Sequence, residues 1–142
     1  GSDDIIKVCN ELEREGLIQF LLVEGKSQKE VIRIKKDCDI YIDQIYNRGG
    51  WGYGMSSVES LSMGLVCMTE MVEEYKNFIP DNPFVNINKK TLKDKIINLS
   101  KNKDLLIKKK LDSKKWVKKY HDTENVYSSL NSYYKKIYGR NK

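Results

Sequence analysis

The sequence predicts an α/β fold, in which a parallel sheet carries flanking helices and the chain ends in a helical C-terminal tail. Short apolar runs of strand character alternate with amphipathic stretches of helical period, a pattern that builds parallel sheets through right-handed crossovers. From Thr91 onward only helical periodicity remains. No period of about 20–50 residues recurs, which excludes repeat architectures. With 142 residues and 39% hydrophobic content, the chain suits one compact domain, residues 1–142. Two prolines and no Ser- or Pro-rich stretch leave no linker.

Asp3 to Glu15 reads as a helix: Ile5, Cys9 and Leu12 share a face, acids open it and Gly16 stops it. "IQFLLVE" (18–24) is a nearly continuous apolar run, expected to form a strand covered on both faces. Ser27 to Lys36 is a second helix, opened by the capping box "SQKE". "DIYID" (39–43) is a strand, Ser56 to Met63 a short helix and Leu65 to Thr69 another strand. Glu70 to Phe78 reads as helix up to the turn "PDNP" (80–83), and "FVNI" (84–87) as a last strand. In the tail, Leu92, Ile96 and Leu99 make one stripe. Leu105, Leu106, Leu111, Trp116 and Val117 make another, and Val126, Leu130, Tyr133 and Ile137 a third. Tyr133, Tyr134 and Tyr138 are expected to pack against the sheet.

The longest apolar runs are far too short to span a bilayer, and no N-terminal signal pattern is present. Cys9, Cys38 and Cys67 are scattered; with one histidine and no CxxC pair they form neither a disulfide framework nor a zinc site. Buried thiols in a reducing cytoplasm are the expectation. The net charge is +6, and much of it comes from lysines spaced as a solvated helix face in the last third of the chain.

The chemistry concentrates in "NRGGWGYGMSSVESLSMG" (47–64). In open parallel sheets, ligands bind beyond the carboxyl ends of the strands, and this loop follows such an end. Gly52 and Gly54 allow close backbone approach. Met55, Ser56 and Ser57 offer free amides at a helix amino end, where the macrodipole favours an anion such as phosphate. Glu59 has two readings: a capping-box partner for Ser56 in S-x-x-E, or a ligand carboxylate. "EGKS" (24–27) is not a P-loop, because Phe20 stands where its first glycine belongs. Nor is there a dinucleotide G-x-G-x-x-G, since Ser57 follows Gly52 and Gly54 at the third position. His121, the only histidine, falls between two helical segments as a hinge or surface residue, with Asp122 and Thr123 capping the second.

"CDIYIDQ…GWGYGMSSVESLSMGLVCMTEM" resembles the C-terminal, nucleotide-sugar-binding domain of retaining family-4 glycosyltransferases of the GT-B type, and the likeness spreads over nearly the whole chain. The resemblance implies a Rossmann-like sheet lacking its first strand, with that strand, its basic residues and an N-terminal acceptor-binding domain missing from a longer enzyme. It gives Glu59 the ribose hydroxyls, and Gly54, Met55 and Ser56 the diphosphate. Trp51 stands where many members carry a sugar-contacting glutamate. Asp43, Gln44, Trp51, Gly52 and Tyr53 are carried as candidate donor contacts, and no residue is assigned as catalytic. The implied substrate is a UDP- or GDP-sugar, whose hexose goes to a glycan or lipid-linked acceptor without a metal or other cofactor. Cytoplasmic location follows, with peripheral membrane association through the acceptor and no nucleic acid partner. The isolated chain is expected not to transfer sugar. The alternative is a non-catalytic Rossmann-like module whose basic surface binds RNA or an acidic membrane.

Overall fold

The computed structural model describes residues 1–46, 52–76, 78–79 and 81–139. Helix α1 (Ser2–Arg14) opens on Asp3 and Asp4, which complement the helix dipole, and ends before Gly16 in a left-handed conformation. Helix α2 (Gln28–Lys35) starts from Ser27, whose side chain and that of Glu30 form the capping box expected there. Strand β1 (Ile40–Ile42), helix α3 (Met55–Met63) and strand β2 (Val66–Thr69) follow. After a single helical turn α4 (Glu73–Lys76) come strand β3 (Val85–Asn86) and helices α5 (Leu92–Lys101), α6 (Lys103–Tyr120) and α7 (Thr123–Tyr138). The sheet is parallel throughout, in the order β1-β2-β3. The class is therefore mixed α/β, with a small three-stranded sheet and flanking helices.

Central strand β2 is buried at all four positions, as a strand covered on both faces must be. One core cluster joins Cys9 and Leu12 of α1, Val66 and Met68 of β2, and Leu92, Ile96 and Leu99 of α5. On the other face Leu61, Cys67, Met71, Phe84 and Trp116 form a second cluster. Helix α3 is stopped by Gly64 at φ +86°, a conformation that disfavours any Cβ, and one there would also collide with the Lys114 side chain of α6.

Four expectations fail here. Residues 18–24 form no strand. Of their amides only that of Phe20 finds a partner among the described residues, the Glu13 carboxylate at 2.7 Å, and Leu21 and Leu22 are half exposed. An apolar run becomes a strand only where another strand pairs with it, and none does among the described residues. The helix expected over 70–78 shrinks to α4. The cause lies in Asn86, whose side chain accepts from the Met71 amide at 2.9 Å and donates to the Met71 carbonyl at 3.0 Å, holding that backbone out of a helix. Leu111 is exposed rather than part of the second stripe. Finally, α7 has no buried residue, and Val126, Leu130, Tyr133, Tyr134, Ile137 and Tyr138 all face outward, so the tyrosines do not pack on the sheet. Periodicity reports that a helix has an apolar face; it does not say what covers that face.

Cys9 and Cys67 are buried and Cys38 is half buried, all as free thiols. Burial pushes the Cys9 thiol up to about 11 and the Cys67 thiol up to about 12. No helix among the described residues is long and apolar enough to cross a membrane.

Candidate functional site

The amino end of α3 lies just past the carboxyl end of β1. Gly54 is its N-cap, in extended conformation, and its carbonyl accepts from the amides of Ser57 (3.1 Å) and Val58 (3.3 Å). Glycine brings no side chain to satisfy the remaining donors. The amides of Met55 and Ser56 have no acceptor among the described residues, and both residues are exposed, Met55 at 85%.

Asp43, immediately after β1, supplies part of the missing cap. Its Oδ2 accepts from the buried Ser57 hydroxyl at 2.6 Å and from the Gly54 amide at 3.4 Å, while Oδ1 accepts from the Tyr41 hydroxyl at 3.4 Å. A carboxylate at the positive end of a helix is favourable. It also places a negative charge beside the exposed Met55 and Ser56 amides.

Glu59 sits one turn further along. The helix begins two residues earlier than a capping box on Ser56 requires, and no such bond forms. Instead, Glu59 Oε1 accepts from Lys35 Nζ at 2.7 Å and Oε2 from Gln28 Nε2 at 3.4 Å, which ties α3 to α2. The lysine side chain is 9% exposed and the glutamate's 27%. Lys35 also points its ammonium at the Ser56 carbonyl (3.5 Å) and over the Tyr41 ring (4.5 Å). The hydrogen bond and charge of Lys35 hold the Glu59 carboxyl below its ordinary value against the opposing effect of burial.

The remaining expected contacts are distributed differently. Gly52 is buried at φ +83°, its carbonyl accepts from Thr69 Oγ1 at 3.0 Å, and a Cβ there would press on Met71. Tyr53 turns away from the amino end of α3 into an aromatic group. Its ring stacks on Phe84 at 5.0 Å and meets Trp116 edge-on at 5.7 Å, with the hydroxyl 3.4 Å from His121 Nε2. His121 caps α6 and rests against Trp116, and desolvation lowers its pKa. It is thus a packed hinge residue, followed by Asp122 as the N-cap of α7. Gln44 gives its carbonyl to the Glu70 amide at 2.9 Å. Trp51 lies outside the described residues, as do Gly49 and Gly50.

Lys35, Gln28 and Tyr41 belong to this cluster and were not among the expected site residues, while Ser57 joins it through its hydroxyl, since the amide expected to be free donates to the Gly54 carbonyl. One signal pointed to Lys35: it stands four residues after Val31 on the partly buried face of α2, where a lysine needs an anionic partner. Among the described residues no group of three or more His, Cys, Asp or Glu is placed to hold a metal ion. Two surface concavities, of about 460 Å³ along α7 and about 220 Å³ between residues 81–83 and α6, include no residue of α3. At the amino end of α3, Gly54, Met55 and Ser56 are exposed. No family model, curated protein or solved structure matches the chain.

Proposed function

We propose that this chain is the donor-nucleotide-binding unit of a retaining glycosyltransferase, built as a Rossmann-like domain. In this reading, Met55 and Ser56 hold the diphosphate of a UDP- or GDP-sugar through their amides, and Glu59 accepts the ribose hydroxyls. Transfer of the hexose to a glycan or lipid-linked acceptor requires an acceptor-binding domain beside this unit. The observation that carries the reading is the pair of unclaimed, exposed amides at the amino end of α3, one turn from a carboxylate fixed in place.

The chemistry is consistent at each atom. Helix-end amides donate to phosphate oxygens and stabilise the charge that grows on a departing diphosphate. Lys35 engages Glu59 Oε1 closely, whereas Oε2 has only the long contact to Gln28 and retains capacity to accept from a hydroxyl. Asp43 is committed to Ser57 and Tyr41, which makes it a support for the loop in this reading.

Titration calorimetry with UDP- and GDP-sugars tests the proposal. Binding should be competed by the free nucleoside diphosphate and weakened at least tenfold, about 1.4 kcal/mol, by Glu59→Gln. Absence of binding to either nucleotide overturns it. Salt-sensitive binding of RNA or anionic vesicles, indifferent to Glu59→Gln, would put a basic binding module in its place.

A further inference from the structure

We infer that α7 is a self-association surface, whose apolar side pairs antiparallel with the α7 of a second copy of this chain about a two-fold axis. No described element covers that side. Helix α7 has no buried residue, and its seven large apolar side chains are between 39% and 70% exposed. At about 100° per residue, Val126, Leu130, Tyr133 and Ile137 run down one stripe, and Tyr127, Tyr134 and Tyr138 widen it to an arc of about 140°. Serines and asparagines dominate the remainder. Asn125, on that polar side, donates to the Lys118 carbonyl at 2.7 Å and ties α7 to α6.

A helix so composed gains little from its own residues. Its 16 residues barely exceed the about 12–15 below which even alanine-rich helices are marginal in water. It contains no alanine, and its serines, asparagines and tyrosines rank low in helix propensity. Packing must supply the rest.

Spacing, charge and area select a second copy as the occupant. Positions 126, 130, 133 and 137 recur at the four-three-four spacing of a two-helix seam. Turned about an axis between Leu130 and Tyr133, Val126 comes opposite the second copy's Ile137, Leu130 opposite its Tyr133 and Tyr127 opposite its Tyr134. The helix opens on Asp122 and Glu124 and closes on Lys135 and Lys136. Antiparallel packing therefore sets each acidic end beside a basic one and opposes the two dipoles, whereas parallel packing sets like on like. At the ~150–250 Å² that an aromatic side chain offers, the exposed arc presents on the order of 700 Å² per copy. Each partner in a standard interface contributes about 800 Å². An anionic bilayer fits less well. An interfacial helix carries a strongly cationic polar face, while residues 122–139 hold two acids and two lysines, net zero. No residue of the α3 site takes part, so pairing is independent of nucleotide binding.

Sedimentation velocity from about 5 to about 500 μM, with amide exchange at both ends of that range, tests the pairing. The expected result is a monomer–dimer equilibrium without larger species, in which the α7 amides exchange at least tenfold more slowly once the dimer forms. Leu130→Asp should weaken association at least tenfold, whereas Ser128→Asp, on the polar side, leaves it within about twofold. Glu124→Lys should weaken it about threefold, because cation then meets cation. Residues 103–142 hold twelve basic and four acidic residues, so the two copies repel at a distance and added salt should tighten the dimer. Amides of α5, unchanged in every variant, report that the fold is kept, and Tyr133→Ser repeats the reading should Leu130→Asp lose it. The inference is overturned by a chain that stays monomeric throughout, or by a dimer indifferent to Leu130→Asp, Tyr133→Ser or Glu124→Lys. It is equally overturned if a monomeric chain binds phosphatidylglycerol vesicles and loses that binding on Leu130→Asp, because a bilayer then covers the face.

Discussion

The ion pair between α2 and α3 is the interaction on which the site's geometry depends, and a double-mutant cycle of Lys35→Met and Glu59→Ala measures it. Breaking a fully buried pair costs about 3–5 kcal/mol, whereas exposed pairs are worth only ~0.2–1 kcal/mol. This pair falls between those limits, because the lysine side chain is 9% exposed and the glutamate's 27%. After Glu59→Ala, Lys35 keeps the Tyr41 ring and the Ser56 carbonyl, so its charge is not wholly stranded. A loss of ~1–3 kcal/mol is expected for either single substitution. The double variant should lose less than the sum, with a coupling of about 1–2 kcal/mol. Urea denaturation at pH 7 reads all four corners, and each kcal/mol moves Tm by ~2–4 °C in a chain of this size. The pH dependence supplies a second check. Glu59 has its carboxyl held below the ordinary 4.5, so its stabilising contribution is complete above that value. It is lost as pH falls through the lowered folded value, and Glu59→Ala should remove that part of the acid sensitivity. A coupling under about 0.5 kcal/mol would refute the claim that Lys35 fixes Glu59.

Other consequences are smaller in scope. Asp43→Ala strips the cap of α3 and leaves the buried Ser57 hydroxyl without its acceptor, so urea denaturation should show a loss of about 1–2 kcal/mol, with Asp43→Asn losing less. Gly64→Ala places a side chain at φ +86° against Lys114 and should destabilise by ~1–2 kcal/mol in the same assay. In the folded chain at pH 8, a thiol reagent should modify Cys38 first and leave Cys9 and Cys67 unreacted until urea is added, since burial raises the latter two thiols to about 11 and about 12. Rapid labelling of Cys67 in the native state would contradict the packing of β2.

Local signals were legible in the sequence wherever the residues that cause a structure lie close together. The capping box at Ser27 and Glu30, the Gly64 stop and the amphipathic face of α5 all involve partners within one or two helical turns. What failed depends on partners far along the chain. Residues 18–24 have the composition of a strand but no pairing strand among the described residues, and the Asn86 side chain, not helix propensity, decides the conformation around Met71. The site divides in the same way. A helix start that leaves exposed amides at Met55 and Ser56 was readable from a glycine loop followed by a helix. The Lys35 clamp on Glu59, by contrast, spans 24 residues and two helices. Tyr53 shows the converse: an aromatic in a glycine loop invites a ligand role, yet the ring completes a hydrophobic cluster with Phe84 and Trp116.

The most direct test of anion capture at α3 is a ¹⁵N-resolved titration of the chain with UDP and GDP. The expected result is saturable shifts centred on the Met55 and Ser56 amides, with the Glu59 amide following, and excess inorganic pyrophosphate should reverse the Glu59 shift while the Met55 and Ser56 amides stay perturbed. Shifts confined to the lysines of α6 and α7, or none at all at saturating nucleotide, would contradict it.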